Sequence, residues 1–422
     1  MMAVEGPFLA AVIARLADPK FNLAAYGVAF AFALLVEAPV IMIMSASTAL
    51  AEDETSFRKL RTFTYGLNAA VTAVMLIMLI PPVFEPLMLD LIALPQEVAR
   101  LSYVALWILL PWPGAIGYRR FYQGLLIRDG RTRLVAYGTV LRLTTMATTA
   151  LVLYFAFSLP GAYVGAAALT VGVSAEALAS RWMARASVRK LLGDPGSEDG
   201  TREDLTYRRI WQFYYPLVLT SVIGLAVQPM LTFFLGRARA PIESLAVLPV
   251  VVSFSFIFRA MGLSYQEVSI ALMGKRFEHV QELGRFAVVL GVASTAALAL
   301  VALTPLARFW FETVSGLSPE LAEFAIVPTM ILIPIPFMSV ILSFQRGLLV
   351  VARRTRPIIW ATVLEVAGIA LMFPLLGWEI GLVGVTAAAI AFVAGRAAGN
   401  LYLWAPCVRA VATSRAEGVG QR

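Results

Sequence analysis

The sequence predicts an all-α membrane protein made of two copies of one helical unit, and three observations carry that prediction. First, 60% of the residues are hydrophobic and only 14% charged, with a mean hydropathy of +0.80. A chain so apolar cannot hide its surface in a water-soluble core and belongs in a bilayer. Second, apolar runs of about 20 residues recur along the whole length with short connections, the pattern of a multi-span helical protein. Third, Pro111–Arg142 (PWPGAIGYRRFYQGLLIRDGRTRLVAYGTVLR) lies without a gap over Pro334–Glu365 (PIPFMSVILSFQRGLLVVARRTRPIIWATVLE) and matches at about 12 of 32 positions. Pro111 falls on Pro334, Pro113 on Pro336, Gly124 on Gly347 and Arg131 on Arg354.

The same composition excludes several classes. The net charge of +8 sits in the segments between apolar runs, so we read it as a topology signal and expect no nucleic-acid partner. One cysteine, Cys407, leaves no internal disulfide, and one histidine, His279, leaves no His-based metal site. No phosphate-binding glycine loop, metalloprotease helix or Ser/His/Asp set is present, so neither a nucleotide hydrolase nor another enzyme is expected. No cofactor is implied beyond a possible coupling ion, H+ or Na+.

Taken in order, the first apolar stretch, Val4 to Ile13, is too short to cross a bilayer. At a spacing of 222 it registers on the second half, Pro7 on Pro229 and Pro19 on Pro241, where a longer span leads in from Ile210. The expectation is that the first helix is truncated by roughly 15 residues; an in-frame apolar extension upstream would support it. Helices are then expected at 23–50, 62–84, 98–118, 134–157 and 161–183, and at 210–235, 245–273, 284–311, 322–345, 357–377 and 381–405. With the first helix restored this makes about 12 spans. The expected domains are a six-helix bundle over 1–184, a hydrophilic linker over 185–209, a second bundle over 210–406 and a tail over 407–422. Placing linker and C-terminus in the cytoplasm collects about 25 of the 34 Lys and Arg on that side. Six spans per copy make the repeats parallel. Abundant Arg, Ala, Val and Leu suit a GC-rich bacterial genome, hence the bacterial inner membrane.

Ionisable side chains within spans are costly and are functional candidates by default. Glu37 lies in FALLVEAPVIM and registers on Arg259 in FSFIFRAMGL; Arg142 registers on Glu365. Opposite charges at symmetry-related positions suggest pairing across the halves, with Glu37 and Arg259 lining a substrate or ion pathway. Gln228, beside Pro229 at an expected helix break, and Glu5 are further pathway candidates, and Glu267 a secondary one with Arg142 and Glu365. Pro111, Pro113, Pro334 and Pro336 interrupt their helices as hinges or fixed kinks.

Four stretches carry a resemblance: VEGPFLAAVIARLADPKFNLAAYGVAFAF, WQFYYPLVL, LAEFAIVPTMILIPIPF and LLGWEIGLVGVTAAAIAFVAG. With two six-helix units in one chain, they resemble the multidrug/oligosaccharidyl-lipid/polysaccharide flippase superfamily that includes the MATE transporters, and most of all the progressive ankylosis protein family. The resemblance implies a MATE-like fold with two bundles around a central cleft lined by the first, second, seventh and eighth helices. It implies a secondary-active transporter exporting an organic or phosphorylated anion by alternating access. A flippase for lipid-linked saccharides or lipids, and a cation or drug antiporter, are the alternatives. The expected partners are a small-molecule or lipid-linked substrate and the bilayer, the protein acting as a monomer.

Overall fold

The computed structural model describes residues 4–193, 205–273, 277–352, 354 and 356–419. It divides into two compact units, Met1–Phe233 and Phe234–Arg422. In the first, α1 is Glu5–Ala14, α2 Pro19–Leu50, α3 Glu54–Met78, α4 Gln96–Arg128, α5 Thr132–Ala156, α6 Gly161–Met183 and α7 Arg185–Leu192. Helix α8, Tyr207–Gly236, opens the second copy by register, yet through Phe233 it belongs to the first unit. There the Tyr214 hydroxyl donates to the Pro39 carbonyl and its ring meets Phe63 edge-on at 5.3 Å. The second unit has α9 Pro241–Leu272, α10 Val280–Ala302, α11 Pro319–Ile331, α12 Ile335–Val351, α13 Arg356–Pro374 and α14 Gly384–Val419.

Ten of these helices are long and apolar enough to cross a bilayer, or eleven when α11 and α12, bent by 44°, count as one span. Large apolar side chains stand on their outer faces, Phe155 at 78% and Leu371 at 76% exposure. That surface is compatible with lipid and not with water, so the chain is a multi-pass membrane protein.

The repeat is legible down to single hydrogen bonds. Asp18 and Ala240, 222 apart, both take the left-handed conformation, φ 49° and 54°, at the entry to α2 and α9. One turn on, Asn22 Oδ1 accepts from the Ala162 N–H at 3.0 Å, and Ser244 Oγ accepts from the Val385 N–H at 3.1 Å. Each closes the start of the sixth helix of its copy. Pro113 has no N–H to give the Leu109 carbonyl, so Trp112 N–H takes it at 2.9 Å; Pro336 leaves Leu332 to Ile335 in the same way, also at 2.9 Å. The breaks at Pro111 and Pro334 therefore have one cause, and α4 and α12 run on well beyond them. In the seventh span the break lies at Ala226, because Pro229 cannot donate to Leu225.

Helix ends depart from the expected ones where local chemistry overrides hydropathy. The third helix starts at Glu54, eight residues before the expected 62, because Asp53 and Ser56 form a reciprocal capping box. It ends at Met78, since Pro81 pushes Ile80 into an extended conformation, ψ 125°. The expected linker begins as a helix: α7 is latched to the loop after α4, Asp129 Oδ2 accepting from Ser187 Oγ at 2.7 Å and Oδ1 from Lys190 Nζ at 3.2 Å. The remainder, 194–204, lies outside the described residues, as do Lys275 and Arg276.

The Ser187 hydrogen bond, then those of Lys190 and the nearby Arg131 charge, hold the Asp129 carboxyl below its ordinary value of 3.8. A carboxylate whose pKa is depressed on folding contributes stability above its unfolded value and loses it as pH falls through the folded one. The latch is thus complete at neutral pH and fails only in acid. Asp129→Asn, which keeps the shape and drops the charge, should let α7 detach and speed trypsin cleavage after Arg185, Arg189 and Lys190 at neutral pH. Cleavage at the parental rate would remove the latch.

Candidate functional site

Each unit carries one buried ionic cluster, and the two are built on matching backbone. In the first unit, Glu176 on α6 is fully buried, accepts two hydrogen bonds and has a third basic group within ion-pair distance. Arg119 of α4 pairs with its Oε2, Gln123 Nε2 donates to Oε1 at 3.0 Å, and Arg142 Nε of α5 stands 3.6 Å from Oε2. Arg142 also gives Nη2 to Glu5 Oε2 of α1 at 2.8 Å. Four helices are thereby joined by one alternating chain of charges. Glu37 of α2 is buried, and its Oε2 has no hydrogen-bond partner. Arg119, Arg120 and Arg142 are close enough to act on its charge.

In the second unit, Glu365 of α13 receives Nε and Nη2 of Arg396 from α14 on a single oxygen, at 2.8 and 2.7 Å. Arg396 Nη1 also donates to Ser339 Oγ at 3.2 Å. Arg259 of α9 has a different environment. Its guanidinium lies 5.6 Å from the centroid of Phe256 and 5.5 Å from that of Phe392, and its buried Nε has no partner. Arg346 of α12 donates Nη2 to Thr362 Oγ1 at 3.2 Å, and its Nε is likewise buried and unpartnered.

Small residues make the approach possible at equivalent places. A Cβ on Gly172 would stand 3.1 Å from the Arg142 carbonyl, and one on Gly395 2.5 Å from the Glu365 carbonyl. The same close crossing thus presents an arginine in one copy and a glutamate in the other. Glu176 registers on Gly399, whose Cβ would face Glu365 Oε2 at 3.9 Å.

Of the residues read from the sequence, Glu5 and Arg142 meet directly and Glu37 lies beside them. The pairing expected for Arg142 and Glu365 is satisfied inside each unit instead, by Glu5 with Glu176 and by Arg396. The reason is proximity: on each copy's own neighbouring helix a partner stands within 4 Å. Glu37 and Arg259 take part in no ion pair among the described residues. Gln228 follows the Ala226 break, its carbonyl accepting from Thr232 Oγ1 at 3.1 Å. The Glu267 side chain lies outside the described residues.

The charge bias counts Arg119, in the basic stretch Arg119–Arg133, with the residues of the cytoplasmic side; it is instead 2% exposed and serves the cluster. Glu176, Gln123, Arg346 and Arg396 were not singled out at all. For Glu176 a signal existed, a lone carboxylate in the apolar run of the sixth helix. Arg396, between Gly395 and Gly399 in the last span, gave another. Among the described residues no group of three or more His, Cys, Asp or Glu could hold a metal ion.

No protein-family model matches the sequence, and no curated protein does. Solved structures do match. A multidrug resistance MATE family transporter of the MOP superfamily, in its inward-facing conformation, superposes with a TM-score of 0.80 over 98% of this chain and 96% of its own, at 14% identity. The lipid II flippase MurJ, inward closed, gives 0.73 over 98% and 88% at 15% identity. The MATE transporter VcmN of Vibrio cholerae in the bent form gives 0.59 over 98% of both chains, also at 15%. At such identities the likeness concerns architecture, and it spans nearly the whole chain: two six-helix copies in sequence, folded as in the MATE transporters and the MurJ flippase.

Proposed function

We propose that this protein is a secondary-active transporter that exports an organic or phosphorylated anion by alternating access. The observation that carries the reading is Arg259, a cation well inside the α9 span with no carboxylate partner among the described residues. An arginine in lipid without a counter-charge is costly and is kept where something anionic visits it. Glu37, whose buried carboxylate oxygen lacks a partner, is the candidate carrier of a coupling H+ or Na+. The protein would sit in the bacterial inner membrane as a monomer, linker and C-terminus in the cytoplasm. Its proposed relatives are the progressive ankylosis proteins.

A second reading is supported by the likeness to a lipid II flippase: the substrate could be an anionic lipid-linked molecule, for which a basic interior serves equally. The drug-antiporter reading has Glu37 in its favour, but a cation would meet Arg259. The test is uptake into proteoliposomes of citrate, pyrophosphate, ATP and a cationic dye, with Arg259→Ala beside the parent. Anion uptake that falls about tenfold or more in the variant, a loss of roughly 1.4 kcal/mol, is expected. Dye uptake alone, or anion uptake indifferent to Arg259, would overturn the anion reading, and no solute movement would transfer the search to lipid-linked substrates.

A further inference from the structure

The two copies share a backbone but not a charge inventory. All three carboxylates of the first unit's cluster are replaced in the second: Glu5 registers on Val227, Glu37 on Arg259 and Glu176 on Gly399. All three arginines are exchanged as well, Arg119 for Leu342, Arg120 for Ser343 and Arg142 for Glu365, while Gln123 becomes Arg346 and Val173 becomes Arg396. In the first unit three arginines, Arg119, Arg120 and Arg142, stand against three glutamates, Glu5, Glu37 and Glu176. In the second, Arg259, Arg346 and Arg396 act on one described carboxylate, Glu365. Glu365 is taken up by Arg396. Arg259 and Arg346, on two different apolar helices, are left without an ion-pair partner among the described residues.

The surplus also has an address. Arg259 and Arg396 stand against the same ring, Phe392, at 5.5 and 5.4 Å from its centroid. Arg346 reaches Thr362, one helical turn from Glu365 on α13. Arg259 and Arg346 each bury an Nε with no acceptor, as do Arg119, Arg120 and Arg142 of the first unit; what sets the second unit apart is that three arginines there share one described carboxylate. Buried donors of that kind are expensive unless a ligand satisfies them. Arginine's fixed fork suits an oxyanion, and aromatic faces hold the guanidinium in place while it waits.

We propose that the second unit contains a binding site for a compact oxyanion carrying two negative charges, a phosphoryl group being the case that places both on one centre. Arg259 and Arg346 are its donors, Arg396 with Ser339 and Glu365 forms its fixed wall, and Phe392 keeps water out. Glu365 sets the charge: it cancels one arginine, so the site selects two charges and not three. The proposal deepens the anion reading above by naming the substrate's charge and the unit that reads it.

Methyl phosphate and methyl sulfate test this, because they have one shape and different charge: well above pH 6 the phosphate monoester is a dianion, whereas methyl sulfate keeps a single charge. Binding to the purified full chain in neutral-lipid nanodiscs should favour methyl phosphate by about tenfold at pH near 8. Arg346→Gln, leaving one surplus charge, should erase the preference; Arg346→Lys, should the glutamine variant fail to fold, should retain it at weaker affinity. Displacement of methyl phosphate by phosphatidic acid in the nanodisc would identify a lipid headgroup as the natural source, and indifference a free solute. Equal binding of the two probes, no binding of either, or a preference untouched at Arg346 would overturn the proposal. Binding with no transport would sink the transport reading and leave the site; transport with no charge preference would do the reverse.

Discussion

Glu176→Gln is expected to be the most damaging conservative substitution in the chain. The carboxylate is fully buried and is the acceptor for Arg119 and Gln123, with Arg142 at 3.6 Å. A neutral amide of the same size leaves Arg119 charged and unpaired inside the membrane. Removing one member of a buried pair costs about 3–5 kcal/mol, because the remaining charge keeps its desolvation penalty. Set against a typical stability of about 5–15 kcal/mol, that is enough to cut folded yield and lower the melting temperature of the purified protein sharply. The second copy supplies the rescue. At the equivalent positions it has Leu342 and Gly399, so Arg119→Leu with Glu176→Gly removes both charges at once and should recover most of the loss. A Glu176→Gln protein that melts like the parent would show that the cluster does not hold the unit together.

Gly395→Ala carries the second largest expected effect, and its sign is informative. In a helix with room, replacing glycine by alanine gains about 0.5–1 kcal/mol from backbone entropy. Gly224, with nothing within 4 Å of an added Cβ, is the internal control and should be neutral or slightly stabilised. At Gly395 the added carbon would lie 2.5 Å from the Glu365 carbonyl oxygen and 2.9 Å from Ile369 Cγ1. Backbone cannot swing aside as a side chain can, so α13 and α14 must separate. Overpacking of this kind costs about 1–3 kcal/mol, and it moves Glu365 away from Arg396. Gly172→Ala, whose Cβ would be 3.1 Å from the Arg142 carbonyl, should follow with a smaller loss. Thermal melts of the three variants give the order; a Gly395→Ala protein as stable as Gly224→Ala would remove the close-crossing argument.

Much of the architecture was readable without coordinates because it rests on one-dimensional quantities. Span lengths, the breaks before Pro113 and Pro336, and the basic residues between spans each follow from a few neighbouring residues. The repeat is also a property of the string, and it aligned Glu37 with Arg259 and Arg142 with Glu365 before any distance was known. Where ends were misplaced, as at Glu54, hydropathy had no term for a capping box.

What the string could not show is which charges meet. Arg142 and Glu365 looked like partners because they are symmetry mates of opposite sign, whereas ion pairing is decided by distances of a few ångströms between helices far apart in sequence. Arg142 meets Glu5 from 137 residues away, and Glu176 gathers Arg119 and Gln123 from two turns of another helix. The sequence by itself determined that this is a membrane protein of two like copies, since apolar length and internal similarity suffice for that. Only the tertiary structure decided that one copy gathers three carboxylates around its buried arginines and the other, among the described residues, one, because which buried charges meet depends on what packs against them.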